Sequence, residues 1–284
     1  MKNIEQSRKI VEKLIANLTN LSQFHYEIRD KLYGKNLGNH EKHLKVLRKL
    51  ESLEKRAYAI VYHKSRISEL IQGIDFKGLE NGKSFEKRDD RIEFEFDALI
   101  FVIRSLLDIF ASFAEWIIFG KEHSRSFKKL KNELKNAPKT AKNLIDQLTA
   151  VLYADGIWGH LSKYISDDST PSRRDQIAHK HHLNYSMCIY GLDENGQKYY
   201  LFPSEGGEDM WEFTDSSIEK ITLIFEKVIP LLHSDYLVNN RTPESLSQEE
   251  QIQKRNKSMQ ATERSCVLHV LGPINSPLEI FPKK

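Results

Sequence analysis

The sequence predicts a mainly α-helical bundle with one small β-hairpin, and three observations carry that reading. Apolar residues recur every three or four positions through most of the chain. Glycine, proline and polar breaks separate those stretches. One stretch, 186–202, instead alternates around Asn195-Gly196. With 284 residues, 39% hydrophobic and 10% aromatic, the chain has enough apolar material for real cores and too many aromatics for a disordered polymer.

Residues 4–21 set Ile10, Val11, Leu14, Ile15, Leu18 and Leu21 on one face of a charged helix, and 24–33 repeat the pattern weakly through Phe24, Ile28 and Leu32. A break at 34–38 precedes a long amphipathic segment over 40–73, which reads as one arm of a helical hairpin or coiled pair. Gly73, Gly78 and the Asn81-Gly82 turn signal mark a boundary. The most apolar helix spans about 88–120, entered through Arg88-Asp89-Asp90 and ended at Gly120. Its second half is apolar on nearly all faces, which puts it at the centre of a bundle. Residues 98–120 are the one membrane-like stretch. They carry Arg104, Asp108 and Glu115, each costing about 2.5–3.5 kcal/mol at a bilayer centre, so a core helix and no membrane association are expected. Arg104 and Asp108, four apart, are expected as a satisfied buried ion pair.

The composition then flips. Over 121–143, eight Lys and Arg face only Glu122 and Glu133. Pro138 precedes a helix over about 139–153, and a short helix follows over about 158–165. Thr170 as N-cap with Pro171 at the first helical position opens another short helix to about residue 182. A two-residue type I′ turn at Asn195-Gly196 would pair Leu192 with Tyr199 and Tyr190 with Leu201. Thr214 is expected to cap a last amphipathic helix carrying Ile218, Ile221, Phe225 and Val228, which Pro230 bends or closes. Residues 239–264 are polar and read as a tail, with a short apolar run at 266–271 that has strand character.

Charge and motif content exclude several functions. The net charge of +3, from 43 basic and 40 acidic side chains, is no global nucleic-acid signature, so a polyanion site must come from local arrangement. The basic run at 121–143 is matched by an acidic one at 193–219, where Lys198 is the only base. Cys188 and Cys266 are too few for a disulfide scaffold and lack metal-ligand spacing. With no apolar leader at the N-terminus, they read as reduced thiols of a cytoplasmic protein. No P-loop, GxGxxG, GxSxG, HExxH or EF-hand loop is present.

What remains is the stretch from Arg173 to His182, within the capped helix. Arg173 and Arg174 lie in its first turn, where free N–H groups and the helix dipole favour an anion. Asp175 and His179 are four apart on one face, so the carboxylate can orient the imidazole and stabilise its protonated form. A cation, an anion site and an oriented histidine suit transfer at a phosphodiester. The context carries this signal, since Arg56 and His63 show a similar bare spacing on an ordinary helix face. A zinc site is the weaker reading: His179 and His182 can share a face, but His181 points elsewhere and no carboxylate completes a set, so no metal is expected. A basic run is usually a solvated face. As a polyanion surface, Lys128, Lys129 and Lys131 are expected, with Arg173, to contact phosphates, and the spacing lets Arg173 replace Arg174 as the phosphate ligand. Trp158 and Tyr164, just ahead of the motif, are expected to pack the core, with base stacking as the alternative.

Arg174-Asp175-Gln176-Ile177-Ala178-His179 resembles the Arg-polar-x-x-x-His motif of the HEPN superfamily, all-helical proteins that include many metal-independent ribonucleases. The segment 96–108 is similar to the helix that packs beside that motif in one HEPN subfamily. The resemblance covers about 88–235. It implies a HEPN-like helical domain at 86–238, preceded by an N-terminal helical extension at 1–85 and followed by a polar C-terminal tail at 239–284. It further implies a homodimer with a composite cleft, no cofactor, and attack of the ribose 2′-OH on the adjacent phosphate to leave a 2′,3′-cyclic end. In that scheme His179 is the acid/base, Arg174 the phosphate stabiliser and Asp175 the orienter. The activity implied is that of a toxin or anti-phage defence ribonuclease, with an antitoxin or inhibitor protein as a possible partner. The alternative is a catalytically inactive HEPN-like scaffold that binds RNA or a protein partner.

Overall fold

The apolar stripes of two long N-terminal helices set the architecture, because neither stripe can remain in water. The computed structural model describes residues 2–33, 40–122, 126–164, 187–203 and 209–239. α1 (Lys2–Tyr33) packs on α2 (His40–Gln72), and α2 packs along α3 (Asp90–Phe119). α1 also meets α7 (Met210–Leu223) and α8 (Ile229–Asn239), which closes the bundle. Val11, Leu14, Phe24, Ile60, Phe96, Ile103, Phe213 and Phe225 belong to one hydrophobic core. Burying each such side chain contributes about 1.5–3 kcal/mol before entropy is counted. α1 and α2, expected as an extension, therefore share a core with the helices that follow residue 86.

Around this bundle sit the shorter elements. α4 (Phe127–Lys135) packs on α3. A 3₁₀ turn (Lys139–Ala141) leads into α5 (Lys142–Ala154). α6 (Ile157–Leu161) and a second 3₁₀ turn (Ser162–Tyr164) follow, with α6 resting on α7. α3 begins where the sequence places it: Asp89 accepts a hydrogen bond from Arg91 N, and Gly120 closes the helix in the left-handed region at φ 70°.

Three local expectations are corrected. The cap of α7 is Asp209, whose Oδ1 accepts from the backbone N–H of Trp211 (2.9 Å) and Glu212 (3.0 Å). Thr214 lies a turn inside and is buried, and its hydroxyl approaches the carbonyls of Met210 and Trp211. The chain stays helical through Pro230, because a π turn (Ile224–Val228) precedes it and Ile229 N bonds back to Ile224 O. That wider turn accommodates a proline ring that would clash with the carbonyl four residues back in a regular helix.

The third correction concerns the hairpin β2 (Met187–Leu192) and β3 (Lys198–Leu201). Its loop has three residues, Glu194 to Gly196. Asp193 N bonds to Gln197 O (2.9 Å), and Gly196 N bonds to Asp193 O (3.0 Å) with Gly196 at φ 74°. This loop shifts the register by one, pairing Tyr190 with Tyr200 and Leu192 with Lys198. Tyr200 consequently turns inward and Leu201 is 43% exposed, as a one-residue slip requires. A third strand, β1 (Ser84–Arg88), joins β2 antiparallel at the edge of the sheet. It arises where only a boundary was expected. Gly191 permits its approach, because a Cβ there would sit 2.4 Å from Lys83 O.

Candidate functional site

Arg173, Arg174, Asp175 and His179 lie outside the described residues, as do the Thr170-Pro171 cap and His181 and His182. The described chain shows how the elements on either side are held. Before the motif, Ile157 and Leu161 of α6 are buried and tether the segment to the bundle. His160 Nε2 lies 2.9 Å from Ser217 Oγ, whose hydrogen is used on Phe213 O (2.7 Å), so the histidine is the donor in this contact. The His160 ring also packs on Phe213, and the Lys163 ammonium lies over the same ring at 5.5 Å. After the motif, β2 is fixed by pairing with β1, Met187 opposite Arg88 and Cys188 opposite Lys87. Cys188 is buried, and burial pushes its thiol up to about 12, so it is no nucleophile near neutral pH. Cys266 lies outside the described residues.

The basic candidates are described. α4 turns Phe127, Leu130 and Leu134 inward, which leaves Lys128 and Lys129 exposed and Lys131 half-buried. Its first turn is fixed by α3: Asp108 Oδ1 accepts from Phe127 N (3.1 Å), while Asp108 Oδ2 pairs with Arg104 Nε (3.1 Å). The Arg104–Asp108 pair is thus present, but half-buried rather than fully enclosed, and its carboxylate anchors the basic helix. Lys131 Nζ lies over the Tyr153 ring, 5.0 Å from its centroid. Trp158 stacks on Phe127 at 4.5 Å and 26°, joining α4 directly to α6, which leads into the motif segment. A groove of about 100 Å³ opens between α4 and α5, with Lys131 and Lys135 on one wall and Leu152 and Tyr153 on the other. Lys135 and Tyr153 were not singled out in the sequence. Their signal was an aromatic at the exposed end of α5 beside a lysine four residues after Lys131.

The sequence also gave no sign of the buried polar cluster between α1, α2 and α7. Lys64 is fully buried. Its Nζ lies 2.8 Å from Asp215 Oδ1, donates to Thr214 Oγ1 (3.0 Å) and sits 3.7 Å from the centroid of the Trp211 indole. Ser7 donates to the other Asp215 oxygen. Burial drives the Lys64 ammonium below its ordinary range, and Asp215 opposes that shift. With its cation fully enclosed and each of these contacts made within the bundle, this cluster is a structural tie.

Among the described residues no three His, Cys, Asp or Glu side chains are grouped to hold a metal ion. No helix among them is long and apolar enough to cross a membrane. No family model, curated protein or solved structure matches this chain.

Proposed function

We propose that this chain is a metal-independent endoribonuclease of the HEPN type, of the toxin or defence kind, acting as a homodimer whose two motif segments share a cleft. The ribose 2′-OH attacks the adjacent phosphorus, the P–O5′ bond breaks, and a 2′,3′-cyclic phosphate and a 5′-OH are released. His179 moves the proton between the 2′-OH and the O5′ leaving group, Arg174 stabilises charge on the phosphorane-like transition state, and Asp175 orients the imidazole.

The observation that carries the proposal is the join between α4 and α6. The Phe127–Trp158 stack joins α4, which carries exposed Lys128 and Lys129 and half-buried Lys131, to α6, the helix that precedes the motif segment in the chain. An enzyme that cleaves a polyanion needs such cations near its acid/base group to raise local substrate concentration. Arg173 would extend this surface into the motif.

Asp175 stands where the family motif more often carries Asn, which favours one second reading, a silent scaffold that binds RNA or a protein partner. One experiment separates the two. Purified protein in EDTA should cut RNA and leave cyclic-phosphate ends, and His179→Ala should lose about 10²–10⁴-fold in rate with an unchanged fold. Steeply salt-dependent RNA binding without cleavage would establish the scaffold instead.

A further inference from the structure

The groove between α4 and α5 combines features that a solvated helix face does not need. Tyr153 is 46% exposed at the end of α5, so much of its surface meets solvent. Lys131 holds its ammonium over that ring, and Lys135 lies one turn further along the same wall. Leu152 and Trp158 provide apolar backing, and the Trp158 indole is held by its stack on Phe127. Lys128, Lys129, Lys139 and Lys142 are exposed on the elements that flank the groove.

We infer that this groove is a binding subsite for one unpaired base of single-stranded RNA, with Tyr153 as the stacking platform and Lys131 and Lys135 as the phosphate contacts. The inference rests on the ribonuclease reading and names its substrate class.

Charge complementarity selects the occupant. A polyanion meets the lysines, and among polyanions only one with free ring faces also uses the exposed tyrosine. Base–aromatic stacking tolerates any sequence, because every base has a π face, and cations beside the ring track the phosphates. Duplex RNA keeps its bases stacked inside the helix and presents only backbone and groove edges, so it leaves Tyr153 unused. An acidic peptide would satisfy the lysines but gain little from the ring. The volume, about 100 Å³, suits a flat ring system rather than a folded segment. The existing Lys131–Tyr153 contact is one that a nucleotide can take over, since the ammonium that now rests on the ring is free to swing to a phosphate.

The test is fluorescence anisotropy with a labelled single-stranded RNA of mixed sequence. It uses the full chain carrying His179→Ala so that bound RNA stays intact, and the groove substitutions are also assayed for cleavage in the unmodified chain. Tyr153→Ala should weaken binding about tenfold or more, whereas Tyr153→Phe, which keeps the ring, should bind as the parent does. Lys131→Gln with Lys135→Gln should flatten the plot of log affinity against log salt by about 1.4, two phosphate contacts on a single strand. A duplex of the same sequence and an acidic peptide should compete poorly. Equal binding by Tyr153→Ala and its parent, or equal competition by the duplex or the peptide, would overturn the subsite. Tyr153-dependent binding without cleavage by the unmodified chain would leave the subsite standing and remove the nuclease. Cleavage that ignores Tyr153, together with unchanged binding, would do the reverse. Absence of any RNA binding would remove both.

Discussion

Lys64 and Lys131 carry the same ammonium and lie over an aromatic ring, yet they belong to opposite parts of the molecule. Lys64 is sealed between α1, α2 and α7, 3.7 Å from the Trp211 ring centroid and 2.8 Å from Asp215. Lys131 is half-buried on α4, 5.0 Å from the centroid of the exposed Tyr153 ring. Inside the bundle a charge cannot exchange its partners for water, so each contact is obligatory and the cluster acts as a fastener. On the α4–α5 face water remains available, so the lysine can trade its ring contact for a phosphate at little cost. Burial, not residue type, decides whether a cation holds the fold or is free to meet a ligand.

The strongest way to break that contrast is to remove the interior charge. Lys64→Met leaves Asp215 without its cation and should cost about 3–5 kcal/mol, read as a lower urea midpoint. Adding Asp215→Leu should return most of that loss, since a well-packed apolar pair is often as stable as the ion pair it replaces. A smaller effect is expected at the sheet. Gly191→Ala forces a Cβ against the Lys83 carbonyl and should cost about 1–3 kcal/mol by the same measurement, as overpacking does elsewhere. The smallest effect on stability belongs to the basic face. Lys128→Gln with Lys129→Gln should stay within about 0.5 kcal/mol of the parent. The same pair should nonetheless lower the salt slope of single-stranded RNA binding by about 0.7 per lost phosphate contact. If the interior and surface substitutions destabilised equally, the contrast would fail.

The sequence displayed those elements whose apolar spacing is long and regular. α2 and α3 lie within a residue or two of their expected limits, because dozens of periodic positions outvote any single exception. Where one residue decides, it was less informative. Thr214 resembles a cap by type, but Asp209 stands at the actual turn and Thr214 is needed to receive Lys64. Asn195-Gly196 signals a hairpin, yet the side chain of Asp193 accepts from the N–H groups of Asn195 (2.9 Å) and Gln197 (2.7 Å) and stabilises a three-residue loop that moves the register. β1 has five exposed positions and no alternation, so only its backbone pairing reveals it. The acidic run at 193–219 looked like a surface property. Three of its members, Asp193, Asp209 and Asp215, instead serve a turn, a cap and a buried pair.

The candidate site divides in the same way. The basic helix was legible as a charge run, and its lysines sit outward because Phe127, Leu130 and Leu134 claim the opposite face. Tyr153 was not, since an aromatic at a helix end is ordinary until a lysine from another element is found beside it. The Arg104–Asp108 pair was read from spacing alone, but its role in starting α4 depends on a backbone N–H nineteen residues further on in the chain.

On the proposed reading, His179 is the acid/base group of a metal-independent ribonuclease carried by this helical fold. The most direct measurement is cleavage of a single-stranded RNA in EDTA, with end-group analysis of the products, by the unmodified chain and by His179→Ala side by side. Expected are 2′,3′-cyclic phosphate ends from the first and a rate lower by about 10²–10⁴-fold from the second, at equal thermal stability. Cleavage that survives His179→Ala, or that requires a divalent metal ion, would contradict it.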